Sequence, residues 1–255
     1  MQIEVKNLRK SYSVNGAKLN VLDDISFTVN SKEFLTIIGP SGCGKSTILN
    51  ILAGFVPKDG GEIKLNGKKV ENLQKIAAYM VQKDLLMPWR TVIGNTILGP
   101  EIGGQDMKKA KEEAISLLDS FGLGGFYNSY PSELSGGMRQ RVALARTLMF
   151  KRPLLLLDEP FGALDAMTRF VMQNLFLKVW KKYEKTVVLV THDIDEALIL
   201  SDRIIVLSSR PARIKSTYTI EQPRPRDLSA LATIKKKIFD ELKEEIGSVF
   251  GNGSI

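Results

Sequence analysis

The sequence predicts an α/β fold. A parallel sheet core with helices on both faces carries an N-terminal antiparallel β sub-domain and a helical sub-domain insertion. Three observations predict it. First, Gly39-Pro40-Ser41-Gly42-Cys43-Gly44-Lys45-Ser46-Thr47 has the G-x-x-x-x-G-K-[ST] spacing of a phosphate-cradling loop. It lies between an apolar run at 33–38 and a helical pattern that stops at Gly54, so strand, loop and helix occur in the required order. Second, Leu154-Leu155-Leu156-Leu157-Asp158-Glu159 follows a proline and is apolar on both faces, as a central parallel strand must be. Third, strands and helices alternate from there to residue 207, and that alternation implies parallel pairing.

Taken in order, residues 3–8 and 25–29 alternate apolar and polar, as half-buried antiparallel strands do. A polar turn is expected between them, over 13–20. Tyr12 closes the first strand, where an aromatic ring can stack on a nucleobase or simply edge the core; the residues alone leave both open. In the phosphate loop the glycines let successive N–H groups converge on a triphosphate. Lys45 offers a mobile positive charge, and the Ser46 hydroxyl suits Mg²⁺. The helix that follows, with Ile48, Leu49, Ile51 and Leu52 apolar, adds its positive end to the anion site. Cys43 is the only cysteine, which excludes an internal disulfide and suits a reducing cytosol.

Glycine pairs at 60–61 and Asn66-Gly67 bracket a short strand at 62–65. A buried strand at 76–81 ends at Gln82, whose amide can ligate Mg²⁺ or position a water, and equally can be an ordinary strand-end polar group. Leu85-Leu86-Met87-Pro88-Trp89 is apolar without any helical or strand period, so it is either a local mini-core or a docking surface. Helices are expected over 106–121 and 135–150, which makes 85–150 a mainly helical insertion. Beyond the leucine strand come a helix at 166–183, a buried strand at 186–190 ending in Thr191-His192-Asp193, a helix at 194–200 and a strand at 203–207. Gln222-Pro223-Arg224-Pro225-Arg226 reads as an extended linker. Leu231, Ile234, Ile238, Leu242 and Ile246 form one stripe of a terminal amphipathic helix, whose Lys235-Lys236-Lys237 would pack in a solvated face or touch anionic lipid.

Composition bounds the function. With 255 residues, 44% hydrophobic and 25% charged, the chain can bury a full core. No apolar run reaches the roughly 18 residues of a membrane span, and the start lacks the pattern of a signal peptide. A net charge of +8 suits anionic ligands, a membrane surface or nucleic acid without choosing among them.

Three further segments carry chemistry. Asp158 and Glu159 stand where a parallel strand ends, so one carboxylate can hold Mg²⁺ while its neighbour, pointing the other way, orients a water in line with a γ-phosphate. His192, the only histidine, follows a buried strand directly and can hydrogen-bond that phosphate. Leu134-Ser135-Gly136-Gly137-Met138-Arg139-Gln140-Arg141 opens a helix with a hydroxyl and free N–H groups, which makes a second anion site.

These segments together resemble the ATP-binding cassette ATPases over about residues 1–220. Tyr12 matches the family's aromatic adenine-stacking loop, 39–47 its Walker A loop and Gln82 its Q-loop. Leu134 to Gln140 matches the family signature, 154–159 Walker B, Ala163-Leu164-Asp165 the D-loop and His192 the switch histidine. The resemblance implies a P-loop NTPase fold with a RecA-like core in residues 1–220, with 221–255 as linker and terminal helix. It implies ATP and Mg²⁺ as cofactors. Two cassettes would dimerise head to tail, so that Ser135, Gly136, Gly137 and Gln140 of one chain close over ATP on the Walker A loop of another. Glu159, His192 and Gln82 would be catalytic, Ser46, Gln82 and Asp158 the Mg²⁺ partners, and Asp165 the coupling across the dimer.

Gln82-Lys83-Asp84-Leu85-Leu86-Met87-Pro88-Trp89-Arg90-Thr91-Val92, followed by Asn95, is similar to the importers of the nitrate, sulfonate and taurine group. So is Ser208-Ser209-Arg210-Pro211-Ala212-Arg213-Ile214, with Ala212 where glycine is frequent. That similarity implies a subunit at the cytoplasmic face of the membrane, bound to a separate transmembrane permease, with Leu86, Met87 and Trp89 docking a permease helix. The second cassette would be an identical chain or a sister, and an external solute-binding protein would act through the permease. A cassette serving assembly or nucleic-acid work is the alternative, although no nucleic acid is expected.

Overall fold

The computed structural model describes the backbone of residues 1–250 and the side chains of residues 1–247. Two compact units divide it, one formed by Met1–Lys75 with Thr186–Ile255 and the other by Ile76–Lys185.

The first unit begins with strands β1 (Ile3–Val14) and β2 (Ala17–Val29), which form one antiparallel hairpin. The expected polar turn over 13–20 is corrected to two residues. Val14 pairs with Ala17, and Asn15 and Gly16, at φ 51° and 79°, make the tight turn. Its flanks read as turn because they are polar, yet a ladder of backbone hydrogen bonds needs no apolar face. β3 (Phe34–Ile38) is buried along its whole length and leads into α1 (Lys45–Ala53), which stops at Gly54 in the left-handed conformation. β4 (Gly60–Leu65) and β5 (Lys68–Val70) complete a sheet of order β2-β1-β4-β5.

The second unit contains β6 (Ala77–Met80), the short helices α2 (Val92–Thr96) and α3 (Leu98–Ile102), and then α4 (Met107–Ser120) and α5 (Gly136–Met149). β7 (Leu154–Asp158) and α6 (Ala166–Tyr183) follow. β6 and β7 pair in parallel, from Ala77 opposite Leu154 to Met80 opposite Leu157. The two short helices escaped sequence reading because Gly94, Gly99 and Pro100 interrupt any apolar period; Pro100 is tolerated in a first turn, where its missing N–H has no partner to lose. Asp106 caps α4 by accepting from the N–H of Lys108 at 2.9 Å.

The chain then returns to the first unit with β8 (Thr186–Thr191), α7 (Ile194–Leu200), β9 (Arg203–Leu207), β10 (Ile214–Thr219) and α8 (Ala232–Phe250). β3 runs parallel to both β8 and β9, as expected, and β10 adds an antiparallel edge to β9 that was not expected. α8 packs Ile238 against α7 and β9, together with Leu231, Ile234 and Leu242 of the predicted stripe. Ile246 departs from that stripe and is 46% exposed. The linker at 222–226 carries no helix or strand, and its arginines are fastened. Arg226 donates to the carbonyls of Leu198 and Ser201 at 2.8 and 2.5 Å, and Arg224 donates to that of Leu200. They satisfy acceptors that the end of α7 cannot pair internally. Burial pushes the Arg226 guanidinium down to about 10. Lys235 bonds Asp195 at 2.8 Å, so the lysine triplet belongs at least partly to a paired surface. Among the described residues, no helix is long and apolar enough to cross a membrane.

Candidate functional site

In the first unit, the loop between β3 and α1 wraps at Gly39–Gly44 and delivers Lys45 as the first residue of α1. The Lys45 ammonium donates to the carbonyls of Gly39 and Pro40 at 2.8 and 2.9 Å, and so is held across the loop with donor capacity for a further acceptor. Gly44 sits at φ 124°, and a Cβ there would lie 2.8 Å from Leu22 Cδ2 and 2.9 Å from Val21 Cγ1. The loop is thus shaped by β2, and only glycine fits. Cys43 is buried, and burial pushes its thiol up despite the charge of Lys45, so it is a packing residue rather than a nucleophile. Ser46 and Thr47 are half-buried on the loop side of α1. His192 is exposed just beyond β8, in a turn fixed by Asp193, which accepts from the N–H of Glu196 at 3.1 Å.

Tyr12 is half-buried on β1 opposite Leu19, with the Lys10 ammonium 5.3 Å from its ring centroid. Lys10 is anchored by Asp59 at 2.7 Å, and the same carboxylate accepts from the N–H and hydroxyl of Ser11, each at 2.7 Å. Sequence reading missed Asp59, since nothing local links it to a residue 48 positions away. The Lys10 and Ser11 donors hold its carboxyl down to about 2, against an ordinary 3.8. A depressed acid stabilises the fold above its unfolded pKa, and that contribution disappears as pH falls through the folded value. The stability gap between the parent and Asp59→Asn should therefore close between pH 3.8 and about 2. Urea unfolding across that range checks this, and a gap independent of pH would reject it.

In the second unit, Asp158 ends β7 with 3% exposure, and half-buried Glu159 follows at φ 50°, a conformation costly for a non-glycine residue. The Gln82 amide donates to Glu159 Oε2 at 3.2 Å. Burial and the charge of Asp158 both push the Tyr79 hydroxyl above its ordinary range, which keeps it protonated beside the carboxylate.

Ser135 caps α5, with its hydroxyl accepting from the N–H of Met138 at 3.2 Å, and both Ser135 and Gly136 are exposed. Gly137 has a different reason: a Cβ there would lie 3.1 Å from Leu164 Cδ2. Gln140 requires correction. Rather than facing outward with the signature, it is 6% exposed, donates to the Glu159 carbonyl at 2.9 Å and accepts from the N–H of Ala163 at 2.8 Å. It brackets the turn after β7 within its own unit, so an in-trans contact by this amide does not fit its burial. Asp165 is exposed and caps α6 through the N–H of Thr168 at 3.0 Å, which with other backbone donors lowers its pKa.

The apolar patch at 85–89 divides between its two expected meanings. Leu86 is 8% exposed and belongs to the mini-core, which corrects its place among docking residues. Leu85 at 62% and Trp89 at 73% face solvent, and Met87 lies between these extremes. Fully buried Asn95 sets the loop's shape, since its amide nitrogen lies within 3.1 Å of the Met87, Arg90 and Thr91 carbonyls while its oxygen accepts from the Met87 N–H at 2.8 Å. Arg139 bonds the Asp84 carboxylate at 3.0 Å, and Arg146 donates to the Asp84 and Leu85 carbonyls at 2.7 and 2.8 Å. The signature helix therefore holds the loop that presents Trp89.

By chemical type these residues fit Mg²⁺: in the first unit Ser46 offers a hydroxyl oxygen, and in the second Gln82 offers an amide oxygen and Asp158 a buried carboxylate that is costly to desolvate without positive charge. Among the described residues, no group of three or more His, Cys, Asp or Glu side chains gathers as a metal cage.

A family model described as ABC transporter matches residues 22–162. An uncharacterized ABC transporter ATP-binding protein of Methanocaldococcus jannaschii is 45% identical over 96% of this chain and 93% of its own length. A taurine import ATP-binding protein of Rhizobium johnstonii is 42% identical, covering 92% of this chain and 90% of its own. For an aliphatic sulfonates import ATP-binding protein of Bacillus licheniformis the values are 39%, 100% and 99%. Among solved structures, a dimeric bacterial ABC transporter cassette superposes with a TM-score of 0.78 at 32% identity, over 87% of this chain and all of that one. A dimeric post-hydrolysis state of such a cassette, bound to ADP and Pi, matches at 0.78 and 31%.

Proposed function

The chain belongs to the ABC transporter family, as an ATP-binding cassette with the P-loop NTPase fold, and from that premise we propose that it is the ATPase subunit of a solute importer. The observation that carries the reading is identity of 39–42% over 92% or more of the chain to relatives named as taurine and aliphatic sulfonate import ATP-binding proteins. The solute is then a small anion-bearing molecule of that kind. The subunit sits at the cytoplasmic face of a membrane, bound to a separate permease, and an external solute-binding protein delivers cargo to that permease.

In this reading two chains pair head to tail. The loop at 39–47 holds the triphosphate, Lys45 meets its β- and γ-phosphates, and Tyr12 stacks on adenine. Ser135, with the N–H groups of Gly136 and Gly137, closes over the nucleotide of the other chain. Glu159 orients the attacking water and accepts its proton, Gln82 positions that carboxylate, and His192 contacts the γ-phosphate. Asp165 relays closure between chains. Mg²⁺, held by Ser46, Asp158 and Gln82, would neutralise charge on the phosphate oxygens when bound.

Trp89 gives the docking test. As an exposed aromatic anchor on a loop fixed by Asn95, it should carry a large share of permease affinity. Trp89→Ala should weaken co-purification with the permease by at least about tenfold and reduce ATP-driven taurine or sulfonate uptake in vesicles in step. ATP hydrolysis by the isolated chain should be unaffected. Unchanged uptake would remove the docking role, and salt-sensitive retention on DNA or RNA without a permease would favour the assembly or nucleic-acid alternative.

A further inference from the structure

The segment between β9 and β10 is tied down on three sides. Within itself, the Ser208 N–H donates to the Arg213 carbonyl at 2.9 Å, and the Arg213 N–H donates to Ser208 Oγ at 3.0 Å. Toward β2, the Ala212 N–H donates to the Val21 carbonyl at 2.9 Å, and the Asp23 N–H donates to that of Ala212 at 3.0 Å. Toward α8, the Ser209 N–H donates to Glu245 Oε2 at 2.8 Å and the Ser209 hydroxyl to the Glu245 carbonyl at 3.0 Å. Burial of Glu245 is outweighed by the Ser209 donors and Lys215, and the carboxyl stays below its ordinary range.

On this fixed backbone stands Arg210, exposed and, among the described residues, making no hydrogen bond or ion pair of its own. Nearby arginines are engaged, Arg213 with Asp23 at 2.5 Å and Arg224 with Asp202 at 2.7 Å. Arg210 instead points at the phosphate loop. A Cβ placed on Gly42 would lie 3.5 Å from its Nη2, and its charge is felt by the Cys43 thiol. Together with Pro40, Ser41, Cys43 and Ser209, it lines a pocket of about 580 Å³ that Leu19 and Ile246 border with apolar surface.

We propose that Arg210 is a nucleotide-binding residue: it supplies a second cation to the phosphates held by the loop at 39–47, and α8 positions it through Ser209 and Glu245. The proposal rests on that loop being the ATP site. A cation whose backbone is immobilised beforehand loses little freedom on pairing, so its bond to an anion is worth more than that of a free surface lysine.

The test is competition of ATPγS, ADP and adenosine against a fluorescent ATP analogue on the full chain. Arg210→Ala should weaken ATPγS and ADP by about fivefold to tenfold, the scale of one charge-assisted bond at a solvated site, and leave adenosine unchanged. Arg210→Lys should recover part of the loss. Glu245→Ala should weaken the same two nucleotides, with no further loss in the double variant. Unchanged ATPγS and ADP affinity in Arg210→Ala overturns the contact, and so does an equal loss for adenosine. An unaffected Glu245→Ala, or additive losses, overturns positioning by α8. Failure of the underlying reading looks different, because the parent would then bind ATPγS no better than Lys45→Ala does.

Discussion

Replacing Glu159 by glutamine is expected to lower ATP turnover by at least about a hundredfold while ATP still binds, the range that removal of a positioned general base commonly costs. The substitution keeps the side chain's shape while removing its negative charge and its capacity to take a proton. The fold has little reason to change. Glu159 holds its φ of 50° through backbone bonds, its carbonyl accepting from Gln140 at 2.9 Å and from the Gly162 N–H at 3.2 Å. Neither bond uses the carboxylate. Phosphate release in steady state, together with nucleotide retention on a sizing column, would measure both halves, and in the proposed dimer the variant should elute as an ATP-bound pair. Turnover within a few-fold of the parent would take the catalytic role from Glu159.

Ser135→Arg is expected to abolish hydrolysis to a similar degree with ATP affinity for the loop at 39–47 nearly intact. Ser135 is exposed at the start of α5, where its hydroxyl caps Met138. Losing the cap costs about 1 kcal/mol, a small loss beside that of a closed site. If Ser135 acts on the other chain's nucleotide, mixing decides it. Ser135→Arg chains mixed with Lys45→Ala chains form pairs in which one site has an intact phosphate loop and an intact signature. Hydrolysis should return in the mixture although each variant alone is inactive. No recovery, or loss of ATP binding by Ser135→Arg alone, would place the signature's action within its own chain.

The position of Gln140 bears on both results. Its amide joins the Glu159 carbonyl to the Ala163 N–H, and Gly137 lets Leu164 approach to within a Cβ's width. The helix that carries the signature thus grips the turn carrying Glu159 and the segment leading to Asp165. Arg139 and Arg146 of the same helix grip the loop that presents Trp89. A shift of α5 in response to nucleotide would be transmitted to both places by short hydrogen bonds rather than by loose packing.

The sequence by itself determined the phosphate loop, the carboxylate pair at the end of β7, the cap of α5, the buried strands and the family to which they belong. Each is encoded in contiguous residues: a spacing, an unbroken apolar run or a cap followed by helix. Only the tertiary structure decided what depends on partners distant in the chain. It divided Leu86 from Trp89, turned Gln140 inward, fastened Arg224 and Arg226 to the end of α7, and brought Asp59 to the strand that carries Tyr12. The physical reason is common to these cases. Whether a polar or apolar side chain faces water, core or a distant carbonyl is set by the packing of whole elements, and a residue's neighbours in sequence do not report that packing.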